Sequence, residues 1–224
     1  MLIKSIEQFI RNHEKCMCFC AIIYNFFGMN KVKGQRSLKI VWGGVFLHKS
    51  QIMNHGDNNS LFLGKGCRIY NSKIQFFGSN NSVMIENDCV LQNVDIWISD
   101  GSVIEIGHNT HFTGNIHIAC IEGKKVHIDE RCLFSNQITL RTGDSHSILD
   151  QNGHRINQAE DIWIGDHVWI GQQVTLLKGA RIEKDCVIGT KALVTGKKFR
   201  SNVILAGIPA KVIKEDISWD HRLL

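Results

Sequence analysis

The chain is poor in several features that mark common protein classes. It has one proline in 224 residues. Because proline removes a donor from a hydrogen-bonded ladder, this scarcity favours uninterrupted parallel strands. The longest apolar run, residues 17–27, has about half of the roughly 20 residues that a membrane-spanning helix needs. No small-x-small cleavage site follows that run, which argues against a signal peptide.

The eight cysteines do not form the pairs typical of a zinc site or a disulfide framework. Cys16, Cys18 and Cys20 form a C-x-C-x-C run, but no CxxC pair accompanies it, so we expect no metal site. Four others share one position of the repeat described next, and we expect them to be small buried core residues in a reducing, cytoplasmic compartment. They are Cys67, Cys89, Cys132 and Cys186.

What the chain does have is a ladder of aliphatic residues spaced by six: Ile164, Ile170, Leu176, Ile182, Ile188 and Val194. Small residues form a second ladder four positions behind: Val168, Val174, Ala180, Cys186 and Ala192. Neither the helical period of 3.6 nor the strand period of 2 produces both ladders. A triangular coil does, with three short strands of about six residues per 18-residue turn. The spacing therefore predicts an all-β chain folded as a parallel β-helix.

The same pattern recurs upstream with longer intervals. The key aliphatic residues Leu63, Ile85, Ile106 and Ile128 follow one another at spacings of 22, 21 and 22. We expect polar corner loops to absorb the residues beyond 18. From Ile128 to Ile164 the spacing is 36, although rungs at positions 134 and 140 complete one coil. Residues 142–161 are therefore predicted to form a loop extruded from the solenoid, where function is often carried.

The first 30 residues differ from the repeat. Apolar residues at helical spacing between positions 2 and 10, followed by the run 17–27, predict a short N-terminal helical segment. One interpretation is a helix that caps the open end of the solenoid. The other is peripheral attachment of residues 1–30 to the inner face of a membrane.

The net charge of +5 is distributed unevenly. Residues 1–177 are balanced, whereas residues 178–214 contain nine basic and two acidic side chains. A basic surface beside the last coils predicts a ligand that carries phosphates. The alternative is a solvated face. Nucleic acid is not expected, because no aromatic residues alternate with these charges.

The C-terminal half, residues 162–214, resembles the hexapeptide-repeat acetyltransferases. The resemblance is carried by the hexapeptides and by the ending Ala206-Gly207-Ile208-Pro209-Ala210-Lys211-Val212-Ile213-Lys214. It is strongest toward the galactoside, maltose and nodulation-factor O-acetyltransferases and the enzymes that O-acetylate capsule, sialic acid polymers or O-antigen. It implies a left-handed β-helix, a homotrimer, and acetyl-CoA as co-substrate in the cleft between neighbouring solenoids. We expect a helical cap at 1–35, the β-helix at 36–214 and a tail at 215–224.

The resemblance also implies a catalytic residue. In this family a catalytic histidine lies in a loop before a strand of the form I-G-x-x-V-W-I-G, and His146 matches it. An imidazole titrates near neutral pH and suits the removal of a proton from a sugar hydroxyl. His154 is interpreted as a surface residue, with acceptor contact as the alternative. Asp144 has two interpretations, orientation of the imidazole or formation of a turn beside Gly143.

Other positions carry over by similarity. Trp169 stands at the tryptophan of the V-W-I-G motif, where relatives position the substrate; corner packing is the alternative. The predicted contacts to acetyl-CoA are Gln172, Thr190, Lys191, Thr195, Lys211 and Lys214. The acceptor is expected to be a hydroxyl of a carbohydrate, belonging to a bacterial surface polysaccharide or its precursor. Trp97, Phe112 and Asn136 are candidates to line its groove, or to pack in the core.

Three other functions remain as alternatives. An N-acetyltransferase of an amino sugar uses the same base and cofactor. A catalytically silent scaffold has no reason to combine a loop histidine, basic last coils and the AGxPAK ending. A zinc carbonic anhydrase with the same fold draws attention to His108, His111, His117 and His127, but that family uses His-x4-His, and no two histidines here are five apart.

Overall fold

The aliphatic ladders fold into a three-sided parallel β-helix. The computed structural model describes residues 14–34, 37–42 and 44–224. Both sequence ladders lie inside the prism with at most 1% of their surface exposed. The prediction of a parallel β-helix is confirmed.

Face one is a separate sheet of eight parallel strands. Its strands are β2 (Leu38–Trp42), β5 (Asn59–Leu63), β8 (Ser82–Ile85), β11 (Val103–Ile106), β13 (Lys125–Ile128), β15 (Ile162–Ile164), β18 (Arg181–Ile182) and β21 (Lys198–Phe199).

Faces two and three are joined into one sheet by two long strands that continue around the corner, β12 (His111–Cys120) and β14 (Leu133–Arg141). Face two further contains β3 (Phe46–His48), β6 (Arg68–Tyr70), β9 (Val90–Gln92), β16 (Trp169–Ile170), β19 (Val187–Ile188), β22 (Ile204–Ala206) and the antiparallel β23 (Lys211–Lys214). Face three further contains β1 (Lys31–Lys33), β4 (Gln51–His55), β7 (Lys73–Phe77), β10 (Val94–Ser99), β17 (Thr175–Leu177) and β20 (Leu193–Val194).

The strand register confirms the irregular intervals predicted for the upstream coils. Leu63 pairs with Ile85, Ile85 with Ile106, and Ile106 with Ile128. Ile128 then pairs with Ile164, so the 36-residue interval contains one coil and one insertion. The four cysteines predicted to lie in the core are fully buried. Burial raises the pKa of the Cys132 thiol to about 12, which keeps that side chain protonated and inert.

The corners explain why polar residues recur in the sequence. We call the corner between faces one and two the first, that between faces two and three the second, and that between faces three and one the third. Most coils place one residue in the left-handed region at the first and at the second corner, where asparagine and aspartate are tolerated best. Along the second corner these residues are Lys49, Asn71, Asn93, Asn115, Gln137, Gln173 and Lys191.

The N-terminal helix α1 (Glu14–Phe27) lies against the first coil. Asn25 donates its amide to Val45 O at 2.8 Å and accepts from Leu47 N at 2.7 Å, so its side chain replaces a missing neighbouring strand. Met17 and Ala21 are buried, whereas Phe26 is 83% exposed. The predicted helical spacing at positions 2–10 lies outside the described residues. Among the residues described, no helix has the length and hydropathy needed to span a bilayer.

Candidate active site

The extruded loop lies where the sequence predicts it. β14 ends at Arg141 and β15 begins at Ile162, at the third corner. The two ends of the loop are held together because Glu160 N donates to Thr142 O at 2.9 Å. Thr142 is fully buried, and its hydroxyl accepts from Ile121 N at 2.9 Å. The two ends of the loop are therefore fixed to each other and to the solenoid.

Within the loop the chain forms a small hairpin. Leu149 and Arg155 form an antiparallel bridge, and Ile156 N donates to Ile148 O at 2.9 Å. At the tip, Asp150 Oδ1 accepts from the backbone N–H of Asn152 and of His154, both at 2.8 Å. These bonds lower the pKa of Asp150, that from His154 N most strongly. The tip is a closed turn rather than an irregular coil.

Asn157 connects the hairpin to the segment that carries the predicted base. Its Nδ2 donates to His146 O and to Asp144 Oδ2, both at 2.8 Å. Its Oδ1 accepts from Ile148 N at 2.7 Å. Only 6% of Asn157 is exposed, so water cannot readily replace these bonds. One amide thus fixes the backbone on both sides of His146.

Two ion pairs attach the loop to the solenoid. Arg155 donates two hydrogen bonds, at 2.7 and 2.8 Å, to the carboxylate of Glu122. Lys178 Nζ lies 2.6 Å from Asp144 Oδ2. The hydrogen bond from Arg155 lowers the pKa of Glu122, and those from Lys178 and Asn157 lower the pKa of Asp144. Asp144 is therefore a loop anchor, and no hydrogen bond between it and the imidazole of His146 occurs among the described residues.

His146 itself lies exposed on this anchored segment. Ser145, just before it, has a φ of 65°, in the left-handed region that non-glycine residues adopt rarely. Arg141 Nη2 holds the hydroxyl of Ser145 at 2.8 Å. The arrangement leaves the imidazole accessible while its backbone is constrained, as a general base requires. His154 is exposed at the hairpin tip, with its Nδ1 3.4 Å from Asp150.

Trp169 lies on a different side of the prism from His146. It is on face two, at the level of Leu133 and Val187 in the adjacent coils, whereas the loop leaves at the third corner. Its indole is 38% exposed, and Nε1 lies 3.4 Å from Ser135 Oγ. One chain therefore does not bring these two residues together.

The predicted cofactor residues also divide between corners. The pairing of Ile170 with Ile188 places Gln172 and Thr190 one coil apart at the second corner, as predicted from their spacing of 18. Lys191 N donates to Gln172 O at 2.8 Å at the same corner. Lys211 pairs with Ala206 near this end of face two, and Lys214 pairs with Ile204 at its other end.

Thr195 lies at the third corner, directly after β20, and is exposed. Face three therefore separates it from the other predicted contacts. Of the basic side chains in residues 178–214, four have carboxylate partners: Lys178, Arg181, Lys198 and Arg200. Within the described ranges, five have no carboxylate within 4.0 Å: Lys184, Lys191, Lys197, Lys211 and Lys214.

The candidate acceptor residues fall into different environments. Trp97 is 44% exposed on face three and lines a cleft of about 360 Å³. Asn136 is exposed at the second corner. Phe112 is 1% exposed and stacks on Phe134 with ring centroids 4.4 Å apart. The interpretation of Phe112 as a groove residue is wrong, because its side chain points into the core.

Three of the four histidines considered for zinc contact carboxylates. His108 contacts Glu130 at 2.7 Å and His117 contacts Asp95 at 3.2 Å. His127 lies between Glu105 and Asp129, and its ring stacks on Trp163. His111 is half-buried beside Arg68 and His221, and desolvation lowers its pKa. In the part of the chain that the structure describes, no three His, Cys, Asp or Glu side chains form a metal-holding group.

Two residues of this region are not predictable from the sequence. The amide of Asn157 connects positions 9 to 13 residues apart in a loop without periodicity, so no pattern marks it. The other is Trp219, from the C-terminal tail. Its ring centroid lies 5.9 Å from that of Trp169. No signal in the sequence places this tail, which runs back along the first corner.

Comparison with known proteins agrees with this architecture. Residues 161–196 match the family described as bacterial transferase hexapeptide (six repeats). The polysialic acid O-acetyltransferase of Neisseria meningitidis is 33% identical over 175 residues, which are 78% of this chain and 81% of that protein.

Two solved structures are similar over most of the chain. The polysialic acid O-acetyltransferase OatWY has a TM-score of 0.76 and 30% identity, and the match covers 87% of this chain and 89% of that one. The polySia-specific acetyltransferase NeuO also has a TM-score of 0.76, with 29% identity over 86% of this chain and 85% of that one. The chain belongs to the hexapeptide-repeat acetyltransferase family.

Proposed function

We propose that the protein transfers an acetyl group from acetyl-CoA to a hydroxyl of a carbohydrate, on a bacterial surface polysaccharide such as a capsule, sialic acid polymer or O-antigen, or on its precursor. The observation that carries this proposal is the 33% identity, over most of both chains, to an enzyme that O-acetylates polysialic acid. The anchored, exposed His146 supplies the chemical group that the reaction needs.

In the proposed reaction, His146 takes the proton from the acceptor hydroxyl as the oxygen attacks the thioester carbonyl. The carbon–sulfur bond of acetyl-CoA then breaks, and the imidazolium returns the proton to the departing thiolate. The ester oxygen comes from the acceptor, and no electrons are gained or lost. The base is an imidazole, so the proposed mechanism requires no metal.

Acetyl-CoA is assigned to the second corner. Gln172 and Thr190 are exposed there one coil apart, and both suit the amides of a pantetheine arm. Lys191, Lys211 and Lys214 would meet the phosphates, because none of them has a carboxylate within 4.0 Å among the described residues. Thr195, across face three, would contact the cofactor of a neighbouring chain.

The same geometry supports a homotrimer with shared sites. His146 and Trp169 lie on different sides of one prism, so a site that contains both needs two chains. A mixture of His146→Ala and Trp169→Ala chains tests this. Hybrid trimers should regain turnover that neither homotrimer has, because one interface in each hybrid has both intact residues. If the mass of the mixed trimers is confirmed and their turnover does not recover, shared sites are contradicted.

The direct test of activity uses labelled acetyl-CoA and a panel of capsular, O-antigen, monosaccharide and amino-sugar acceptors. We expect label in an ester that mild base releases. His146→Ala should lose roughly two to three orders of magnitude in turnover, with CoA binding retained. His154→Ala, eight residues further along the loop, is the matched control and should keep its activity. Equal turnover of wild type and His146→Ala would reject the assignment.

A cytoplasmic position at the inner face of the membrane completes the proposal. The outward side of α1 exposes Phe19, Ile22 and Phe26, and the exposed Lys31 and Lys33 follow it. An apolar face flanked by lysines suits an anionic bilayer surface. Co-sedimentation with anionic vesicles should fall on Phe26→Asp and should be unaffected by Phe62→Asp, a control on face one. Equal co-sedimentation of both variants would contradict this contact.

A further inference from the structure

The outer surface of face three contains a notch beside the loop. Register places Trp97, Ala119 and Arg141 in one column on three consecutive coils. Adjacent strands are about 4.8 Å apart, so the indole and the guanidinium are separated by roughly 10 Å with only a methyl group between them. This notch is the floor of the 360 Å³ cleft, and the same cleft reaches Ser145, next to His146.

Arg141 is the cation of the cleft that can receive an anionic ligand. The carboxylate of Glu122 is occupied by Arg155, that of Asp100 accepts from the Ser99 hydroxyl at 2.9 Å, and His117 contacts Asp95 at 3.2 Å. Arg141 donates to Ser145 Oγ at 2.8 Å and, within the described ranges, has no carboxylate within 4.0 Å. Its guanidinium is therefore available to an anionic group, and a carboxylate fits its two parallel donors.

Two further rings extend this surface away from the loop. Phe77 lies 4.7 Å from Trp97 between ring centroids, and His55 stacks on Phe77 at 5.1 Å with planes 13° apart. Four strand spacings separate the coil of His55 from that of Arg141, a length of about 19 Å. Phe77 is half-buried between its two neighbours, so this part of the row presents ring edges to a ligand. The opposite face of Trp97, toward the notch, is left to pack against the apolar face of a sugar ring.

We propose that Arg141, Trp97, Phe77 and His55 form an extended binding track for an acidic glycan chain. One sugar packs on Trp97 with its carboxylate at Arg141, and following sugars lie along Phe77 and His55. This orientation presents a hydroxyl of the sugar at Arg141 to His146. The inference deepens the proposed function and rests on it, since it names where the acceptor lies and what charge it carries.

The test of the rings uses the full chain, acetyl-CoA and sialic acid oligomers of one to eight residues. Trp97→Ala should raise the KM for the longer oligomers roughly five- to tenfold and leave kcat unchanged. Phe77→Ala should affect only the longer oligomers. Trp42→Ala is the matched control, because Trp42 is 45% exposed against 44% for Trp97 and lies on face one. If KM does not depend on oligomer length in any of the variants, the proposed binding track is wrong.

The test of the charge compares acidic with neutral oligomers. Arg141→Met should raise the KM for sialic acid oligomers roughly tenfold or more, and Arg141→Lys should restore part of the loss. Loss of the bond to Ser145 should lower kcat for acidic and neutral oligomers alike, so the comparison uses KM, and the KM for maltose oligomers should not change. Arg181→Met, on face one, is the control for loss of a surface arginine. An equal effect of Arg141→Met on the KM for acidic and neutral oligomers would overturn the acidic specificity.

Calorimetric titration of the inactive His146→Ala chain separates this inference from the proposed reaction. If oligomers bind and Trp97→Ala weakens their binding, the track stands even where no acetyl group is transferred, and the proposed reaction alone fails. If acetyl transfer occurs with KM values that neither Trp97→Ala nor Arg141→Met changes, the reaction stands and the track is rejected. Absence of binding by any acidic oligomer also rejects the track.

Discussion

The indole of Trp219 lies flat on the imidazole of His167, with ring centroids 4.3 Å apart and planes 8° apart. Its Nε1 donates to His167 O at 2.8 Å. His167 has a φ of 53° at the first corner and contacts Asp185 at 2.9 Å, so it is a fixed platform for the tail. The C-terminal residues are thereby held against the coil that carries Trp169.

Trp219→Ala is expected to release the tail. The indole is only half-buried, so the free energy of unfolding should fall by about 1 kcal/mol. Hydrogen exchange should lose protection at the Ile217 amide, which donates to Asn202 O at 3.1 Å. Trp219→Phe keeps the stacking and loses the Nε1 bond, so its protection should be intermediate. Unchanged exchange in the alanine variant would show that the tail is held by other contacts.

Asn157→Asp should disorder the loop without unfolding the prism. The substitution preserves size but replaces the donor to Asp144 by a second carboxylate, and like charges at hydrogen-bond distance repel. We expect a fall in kcat of roughly tenfold or more and faster cleavage of residues 142–161 by protease. Asn152→Asp at the hairpin tip is the control, since its side chain has no hydrogen-bond partner among the described residues. Wild-type turnover in Asn157→Asp would contradict the positioning role of this amide.

Acid should open the loop before it unfolds the coils. The lowered pKa values of Asp144 and Glu122 mean that both ion pairs stabilise the loop above the ordinary carboxyl range, and the effect is lost as the pH falls through the lowered values. Exchange of the Ile148 and Ile156 amides should therefore increase below about pH 4. Glu122→Gln should remove part of this pH dependence. If the protection of the Ile148 and Ile156 amides stayed constant between pH 7 and pH 3, the prediction that acid opens the loop would be wrong.

Lys211→Glu should weaken CoA binding with the fold intact. Reversing one charge beside a phosphate removes a charge-assisted hydrogen bond and adds repulsion, so we expect the Kd to rise roughly tenfold or more. Lys184→Glu is the matched control. It also has no carboxylate within 4.0 Å among the described residues, but it lies at the first corner, across face two from Lys211. An equal Kd for wild type and Lys211→Glu would remove Lys211 from the proposed site.

The fold could be predicted from the sequence because each coil repeats the same burial requirement. Ile164 and Ile182 face the axis on successive coils, and an 18-residue spacing follows directly from that stacking. The loop was predictable for the same reason, since the register is interrupted once between Ile128 and Ile164. A regular spacing of buried residues thus predicts the coils, and a break in that spacing predicts the insertion.

The site was less predictable because its contacts are not repeated. Arg155 reaches Glu122 across 33 residues and Trp219 reaches His167 across 52, and neither separation is a multiple of the coil. The exposed fraction of an aromatic residue was also ambiguous. Trp97 and Phe112 both occupy strands, and only strand register shows that one side chain faces solvent and the other faces the axis.

The pairing of β14 with β16 and β17 continues as if the loop were absent: Leu133 meets Trp169, and Thr139 meets Thr175. The strand register of the scaffold is therefore independent of the length and composition of the insertion. Exchanging residues 143–158 for a differently shaped segment should leave every rung in place. The segment that carries the proposed base can thus be exchanged at this corner without redesign of the core beneath it.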